Sequence, residues 1–463
     1  MTPAILKARR QQLHNQIGGA IFLPGLNIAP KNYPKNGYPF RQDSHFLYFA
    51  GANQPGLAAM IFPDGSSFLY GTPQSESDIV WEGEQVTLEA IAWATGQSGV
   101  KPLAELGNDI ADLQQRHEKI HYLPPYRSDI EIWTAELFHQ PLSYIRRQYS
   151  REMAEAVVQQ RIRKSPEEVA WIEKAIAVSA KMYAQAFSMI RPGLMEYEVM
   201  GAMSGIAQAN QCSDAFLPIV TVHGEVLHNN RYHHQMEHGQ LLLIDTGVEL
   251  PPFCYGSDIT RTVPVGGTFT SRQRDVYNVV LGAQQRAIDV ASPTLSNREV
   301  HMAAALSIVD GLKDIGLMRG DSKEAVHAGA HTLLFPHGIG HMLGLDSHDM
   351  EDLGDFVAYP KGEKPPSEPG LQNLRLGRKL EPGFVITVEP GIYFIPALID
   401  RWVAEKKHAD FINYEEVVKF RNFGGIRIED DILITEKGCR VLGPGIPKSI
   451  AEIEAHMTAS SDK

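Results

Sequence analysis

Two carboxylates thirteen positions apart, Asp245 and Asp258, sit in LLLIDTGVELPPFCYGSDITR with the residue types and spacing of a cation site. Leu241 to Ile244 form an apolar run with no helical period, so they read as a core strand that delivers Asp245 at its end. Thr246-Gly247 and Pro251-Pro252 break the chain, and a second strand starting near Ser257 carries Asp258, Thr260 and Thr262 on one face. A hairpin of these strands turns both acids toward one point. Burying an unpaired charge costs several kcal/mol, and like charges raise each other's pKa, so a cation is the natural partner. A turn acid plus a structural ion pair is the other reading the hairpin alone allows.

Two further acids end or interrupt apolar strands. In FVITVEPGIYF, Glu389 follows the β-branched run Val385 to Val388 just before a Pro-Gly turn. In GGIRIEDDILIT, alternation sets Ile426 and Ile428 against Arg427 and Glu429, and Arg427 is itself a ready ion-pair partner for that glutamate. FPHGIGHMLGLDSHD supplies His337, His341 and His348 among glycines that deny a regular helix, so these imidazoles serve separate tasks. Four strand-borne acids plus a histidine suit Mn²⁺, Zn²⁺, Co²⁺ or Fe²⁺, and the dominance of oxygen favours the harder Mn²⁺. Neutralising four carboxylates takes about two divalent ions, which makes a two-metal hydrolytic site the physical reading.

Two other histidine patterns compete with that centre. His117-Glu118-Lys119-Ile120-His121 matches HExxH, which binds zinc when one helix carries both histidines. Here a helix over 108–117 gives way to a strand running into Pro124-Pro125, so the imidazoles do not converge and the match reads as chance. HGEVLHNNRYHHQMEH carries His228, His233, His234 and His238, which as a tract reads as a polar loop rather than a metal site. Only position relative to other groups can raise one of them.

The elements that must position these residues fall into two parts. A chain of 463 residues is long for one core. Residues 1 to about 160 alternate helical stretches with short strands at Ala20–Leu23, His45–Phe49, Leu57–Phe62, Ser67–Tyr70 and Lys119–Leu123, an α/β pattern. Ser165-Pro166-Glu167-Glu168 then opens a long helix with a capping box, and the domain boundary is placed just before it. That helix buries Val169, Ile172, Ile176, Ser179, Tyr183, Phe187 and Ile190 before Arg191-Pro192-Gly193 stops it.

Composition bounds the partners. With 43 basic against 55 acidic residues and a net charge of −12, neither nucleic acid nor an anionic membrane is indicated, because both need basic surface. No apolar run is long enough to span a bilayer, and the amino terminus lacks the apolar core of a secretory signal. Cys212, Cys254 and Cys439 are too few and too scattered for a disulfide framework, which points to a reducing cytoplasm.

The order Asp245, Asp258, His341, Glu389, Glu429, carried in SDITRT, PHGIGHMLGLDSHD, TVEPGIYF and GGIRIEDD, resembles the pita-bread metallopeptidases that cleave Xaa-Pro bonds. The likeness runs through almost all of the second half, and YPFRQDSHFLYFAG resembles the first domain of prolidases and aminopeptidases P. It implies an α/β (α+β) protein with a creatinase/aminopeptidase P-like domain over 1–160 and a pita-bread catalytic domain over 161–463. By this resemblance Asp245 chelates one ion, Asp258 and Glu429 bridge two, and His341 with Glu389 completes the second. His228 stabilises the oxyanion, His337 and His348 line the substrate site, and Glu389 shuttles the proton. Tyr393, Arg427 and Arg375 are implied on the substrate side, Arg375 through EPGLxxLR, which resembles a prolidase loop binding the dipeptide carboxylate. One departure stands out, since the family usually separates the first two acids by eleven positions. The two extra residues fall in the Pro251-Pro252 turn and lengthen a loop.

The expected activity is that of an Xaa-Pro dipeptidase, a homodimer acting on small peptides with two divalent ions. An aminopeptidase P acting on longer peptides is the alternative. A non-enzymatic binding module on the same fold comes third, and the retention of all five ligand types argues against it.

Overall fold

Alternating apolar residues bounded by turns build the first sheet. Strands β1 (Ala20–Pro24), β2 (Ala58–Ile61), β3 (Ser67–Gly71), β4 (Gly99–Pro102) and β5 (Ile120–His121) lie in the order β4-β3-β2-β1-β5. β1, β2 and β3 pair antiparallel, while the two edge strands run parallel to their neighbours. Ala20, Phe22, Ala58 and Met60 pack with Leu106, Ile110 and Leu113 of the helix Leu106–Gln115, so one face of the sheet is closed by an amphipathic helix.

The computed structural model describes residues 1–360, 362–363 and 366–461, and the chain divides into two compact units. The first is Met1–Arg161 with Pro251–Cys254 and Met350–Phe356; the second holds the remainder. Of the segment that carries Arg375, Lys361, Lys364 and Pro365 lie outside the described residues.

One strand expectation is corrected. His45–Phe49 lies in a helix, Ser44–Ala50, capped by the Asp43 side chain, which accepts from Phe46 N, and closed by Gly51 at φ 74. Every residue of that helix is buried. A helix buried all round has no amphipathic period, so its apolar run cannot be told from a core strand by pattern, and the cap decides.

In the second unit the helix Pro166–Met189 has the expected capping box between Ser165 and Glu168, and its apolar face is buried. Among the described residues eleven short strands follow: β6 (Ser213–Asp214), β7 (Ile219–Thr221), β8 (Leu241–Thr246), β9 (Val248–Leu250), β10 (Tyr255–Gly256), β11 (Ile259–Pro264), β12 (Val385–Val388), β13 (Gly391–Tyr393), β14 (Gly425–Arg427), β15 (Asp430–Ile434) and β16 (Cys439–Val441). They form small sheets ordered β10-β9-β6, β11-β8-β7, β12-β15-β16 and β13-β14. The helices Ser271–Val290 and Asn297–Asp314 belong to the same unit.

Register gathers the acids. In the β8–β11 pair Asp245 lies opposite Thr260, with Asp258 just ahead of β11. In the β12–β15 pair Val388 lies opposite Asp430, so Glu389 and Glu429 continue the antiparallel pairing one step further. A bridge between Thr260 and Glu429 joins the two sheets. The four carboxylates therefore meet where two strand pairs abut. Among the described residues, no helix is long and apolar enough to cross a membrane.

Candidate metal centre

Asp258, His341 and Glu429 bring one ligand atom each within 4.8 Å of one another, and all three are buried. His341 donates through Nδ1 to the Met342 carbonyl at 3.1 Å, which leaves the Nε2 lone pair facing Asp258 Oδ2 and Glu389 Oε1, each at 3.6 Å. Those gaps are too long for hydrogen bonds. Two metal–ligand bonds of about 2.1 Å meeting at a tetrahedral or octahedral angle set ligand atoms roughly 3.0–3.5 Å apart, close to what is seen.

Electrostatics favours a cation here. Burial, then repulsion from Glu429 and Asp245, raises the Asp258 carboxyl well above its ordinary range. Burial, then Glu389 and Asp245, does the same to Glu429. Burial, with His348 adding to it, holds the His341 imidazole down at about 3, so it is a neutral donor at working pH. Asp245 Oδ1 is buried and accepts no hydrogen bond, while Oδ2 takes the Arg427 guanidinium at 2.6 Å. Raised carboxyls, an orphaned carboxylate oxygen and an imidazole lone pair turned toward acids together fit a bound divalent ion.

Backbone contacts hold the histidine loop against β12. Thr387 N donates to the His341 carbonyl at 3.0 Å, His341 N donates to Thr387 Oγ1 at 3.1 Å, and Glu389 N donates to the Ile339 carbonyl at 2.8 Å. Gly340 permits this approach, because a Cβ there would overlap the Thr387 carbonyl oxygen. Behind His348, the buried pair Lys164–Asp349 at 2.8 Å pins the other end of the loop.

Arg427 ties the acids to Tyr393 and, through it, to His337. Its Nη2 donates to Asp245, its Nη1 to Tyr393 Oη at 2.9 Å and its Nε to Thr260 Oγ1 at 3.2 Å. Its ion-pair partner is thus Asp245 rather than Glu429, and the guanidinium is committed to protein groups on three sides. Tyr393 Oη in turn donates to His337 Nε2 at 2.8 Å, since His337 Nδ1 donates to the Gly338 carbonyl. Burial, then the nearby Arg427 charge, holds His337 down at about 3.

His348 packs edge-on to His341 with ring centroids 4.4 Å apart. Arg375 Nη1 lies 3.5 Å from His348 Nδ1 at an exposed position. Its backbone is held on both sides, by Tyr359 Oη donating to the Leu374 carbonyl and Asn297 Nδ2 donating to the Leu376 carbonyl. His228 is exposed in its loop, within electrostatic reach of both His337 and His348. Sequence reasoning missed the hydroxyls: Thr260 Oγ1 donates to Glu429 Oε2 at 2.6 Å, and Thr387 receives His341 N. The available signal was strand alternation, which puts Thr260 two residues after Asp258 and Thr387 two before Glu389.

The HExxH residues lie elsewhere. The helix ends at Gln115, His117 has φ 56, and His121 is on β5 with its Nδ1 at 2.7 Å from Ser150 Oγ.

Residues 170–436 match Metallopeptidase family M24, and residues 6–135 match the aminopeptidase P N-terminal domain. The chain belongs to metallopeptidase family M24. The human Xaa-Pro dipeptidase is 29% identical to this M24 chain over 97% of it and 90% of the relative. The Escherichia coli Xaa-Pro aminopeptidase is 30% identical over 91% of the chain and 90% of the relative. Among solved structures, substrate-bound E. coli aminopeptidase P superposes with TM-score 0.81 at 26% identity, covering all of both chains. The Pseudomonas aeruginosa aminopeptidase gives 0.83 at 27% identity, covering all of this chain and 99% of that one.

Proposed function

We propose that this M24 member is an Xaa-Pro dipeptidase that hydrolyses the bond before a carboxy-terminal proline. An Xaa-Pro bond is a tertiary amide without an N–H, so a peptidase that grips that hydrogen cannot use it and a dedicated site is required. Asp245, Asp258, His341, Glu389 and Glu429 hold two divalent ions, Mn²⁺ first by the oxygen-rich donor set, with Zn²⁺ or Co²⁺ as substitutes. When bound, such ions polarise the scissile carbonyl and make water a nucleophile near neutral pH.

The chain's own groups do the rest. Glu389, at 19% the most accessible of the three acids Asp245, Asp258 and Glu389, takes a proton from the attacking water and passes it to the leaving proline nitrogen. His228 stabilises negative charge on the carbonyl oxygen, and His337, fixed by Tyr393 and Gly338, lines the substrate pocket with His348. Arg375 pairs with the substrate carboxylate, which only a terminal proline presents there. The observation that carries the dipeptidase reading is the position of Arg375 beside His348.

A second reading, an aminopeptidase P acting on longer peptides, is favoured by the full-length superposition on solved aminopeptidases P. Incubating metal-loaded and chelated protein with Gly-Pro, Leu-Pro and a longer Xaa-Pro peptide separates the two: release of proline from dipeptides supports the first, exclusive shortening of the long peptide the second. We further place the enzyme in the cytoplasm as a homodimer, the former supported by a cysteine content too small and too scattered for a disulfide framework.

A further inference from the structure

The loop that carries His228 has a second imidazole cluster at its base. The rings of His223 and His234 lie with centroids 4.5 Å apart, and the His233 ring lies tilted against His234 at 4.0 Å. Tyr232, at φ 55, turns the backbone just ahead of this pair. His223 Nδ1 lies 2.9 Å from Glu225 Oε1, and His234 Nδ1 lies 3.1 Å from Glu196 Oε2. A carboxylate at Nδ1 keeps the proton on that nitrogen and leaves Nε2 as a lone-pair donor, the way metal-binding imidazoles are commonly oriented. Among the described residues, neither Nε2 takes part in a hydrogen bond.

A solvated cluster of surface histidines would need no support from the interior, yet this one has it. Glu196 is 0% exposed; its Oε1 accepts from Val222 N at 2.8 Å and its Oε2 from His234 N at 3.1 Å. One buried carboxylate thus joins the two stems of the loop and orients a ring.

We propose that His223, His233 and His234 form a second metal site, separate from the carboxylate centre, for a borderline transition ion such as Zn²⁺, Ni²⁺ or Cu²⁺. An all-imidazole donor set selects these ions over Mn²⁺, Mg²⁺ or Ca²⁺, which prefer oxygen. In the structure the rings are tilted against one another rather than convergent. With His234 held on Glu196, closing the site takes rotation of His223, 46% accessible, and of His233, also exposed. A bound ion cross-links the stems around residues 222–234 and stiffens the loop that presents His228.

The test is Zn²⁺ binding by calorimetry to metal-stripped protein, wild type against H223Q/H233Q/H234Q, each with and without Asp258→Asn. The variant should bind one equivalent fewer in both backgrounds, because the cluster does not depend on the carboxylate centre. Equal stoichiometry and affinity with and without the three histidines would overturn the site. If circular dichroism shows the triple variant misfolded, His223→Gln alone decides: that equivalent should weaken at least tenfold, and an unchanged affinity rejects the proposal.

Discussion

Arg427 and Asp245 form a buried ion pair, Nη2 donating to Oδ2 at 2.6 Å, and the same guanidinium reaches Tyr393 and Thr260. One side chain thereby orients an acid of the centre, the tyrosine that braces His337, and the hydroxyl that holds Glu429. Removing it leaves Asp245 buried without a counter-charge. Arg427→Ala should lower metal affinity or kcat by about 10–100-fold, as loss of ligand-orienting partners does elsewhere. Arg427→Lys should recover only part of this, since an ammonium has no fork. Metal content measured alongside kcat checks it; an alanine variant with wild-type values for both would refute the role.

The proposed contact of Arg375 with the substrate separates the dipeptidase from the aminopeptidase. A charge-assisted contact to the substrate carboxylate contributes about 1.5–3 kcal/mol, so Arg375→Ala should reduce kcat/KM for Gly-Pro by roughly 10–150-fold. Longer peptides should be spared. A variant that cleaves Gly-Pro as well as wild type hands the assignment to aminopeptidase P.

The HExxH pair should be silent in catalysis but not equally so in stability. His117 is exposed past a helix end, whereas His121 is 1% exposed and bonded to Ser150. His117→Ala should change neither activity nor melting. His121→Ala should cost about 1 kcal/mol of stability and leave kcat within a few-fold. Loss of activity in a folded His117→Ala/His121→Ala protein would revive a zincin mechanism.

Acid sensitivity should come partly from two core histidines. Burial holds His301 down at about 3 and His331 at about 4, and both side chains lie in the core. An unfolded histidine titrates near 6.5, so as pH falls from there toward 4 and 3 the unfolded chain binds protons the folded one refuses. Their contribution is therefore whole above about pH 6.5 and is lost on acidification, at up to about 1.4 kcal/mol per pH unit for each. Urea midpoints measured from pH 7 to pH 5 should fall, and His301→Leu should flatten the slope. An unaltered slope would place the acid sensitivity in other groups.

How far the sequence reaches differs between element and site. Leu241–Ile244 and Val385–Val388 could be read as strands because apolar runs of that length between turn residues leave little else, and their terminal acids followed. Ser165 to Glu168 announced its helix through local capping alone. His45–Phe49 was misread because complete burial erases the period that separates helix from strand. Arg427 was given a neighbour in sequence, Glu429, when its partner Asp245 comes from a distant strand; register between β8, β11 and β14 sets that pairing, and no local pattern encodes it. The hydroxyls of Thr260 and Thr387 stand two residues from Asp258 and Glu389, so alternation puts them on the acids' faces, while their partners again come from other segments of the chain.

We propose that the acids gathered at the strand junction work through a bound divalent ion on an Xaa-Pro bond. The most direct measurement is proline release from Gly-Pro by protein stripped with chelator and then reloaded with Mn²⁺, beside Asp258→Asn treated identically. Stripped wild type should release none, reloading should restore release, and the variant should recover little or nothing. Full proline release by metal-free wild type would contradict the proposal.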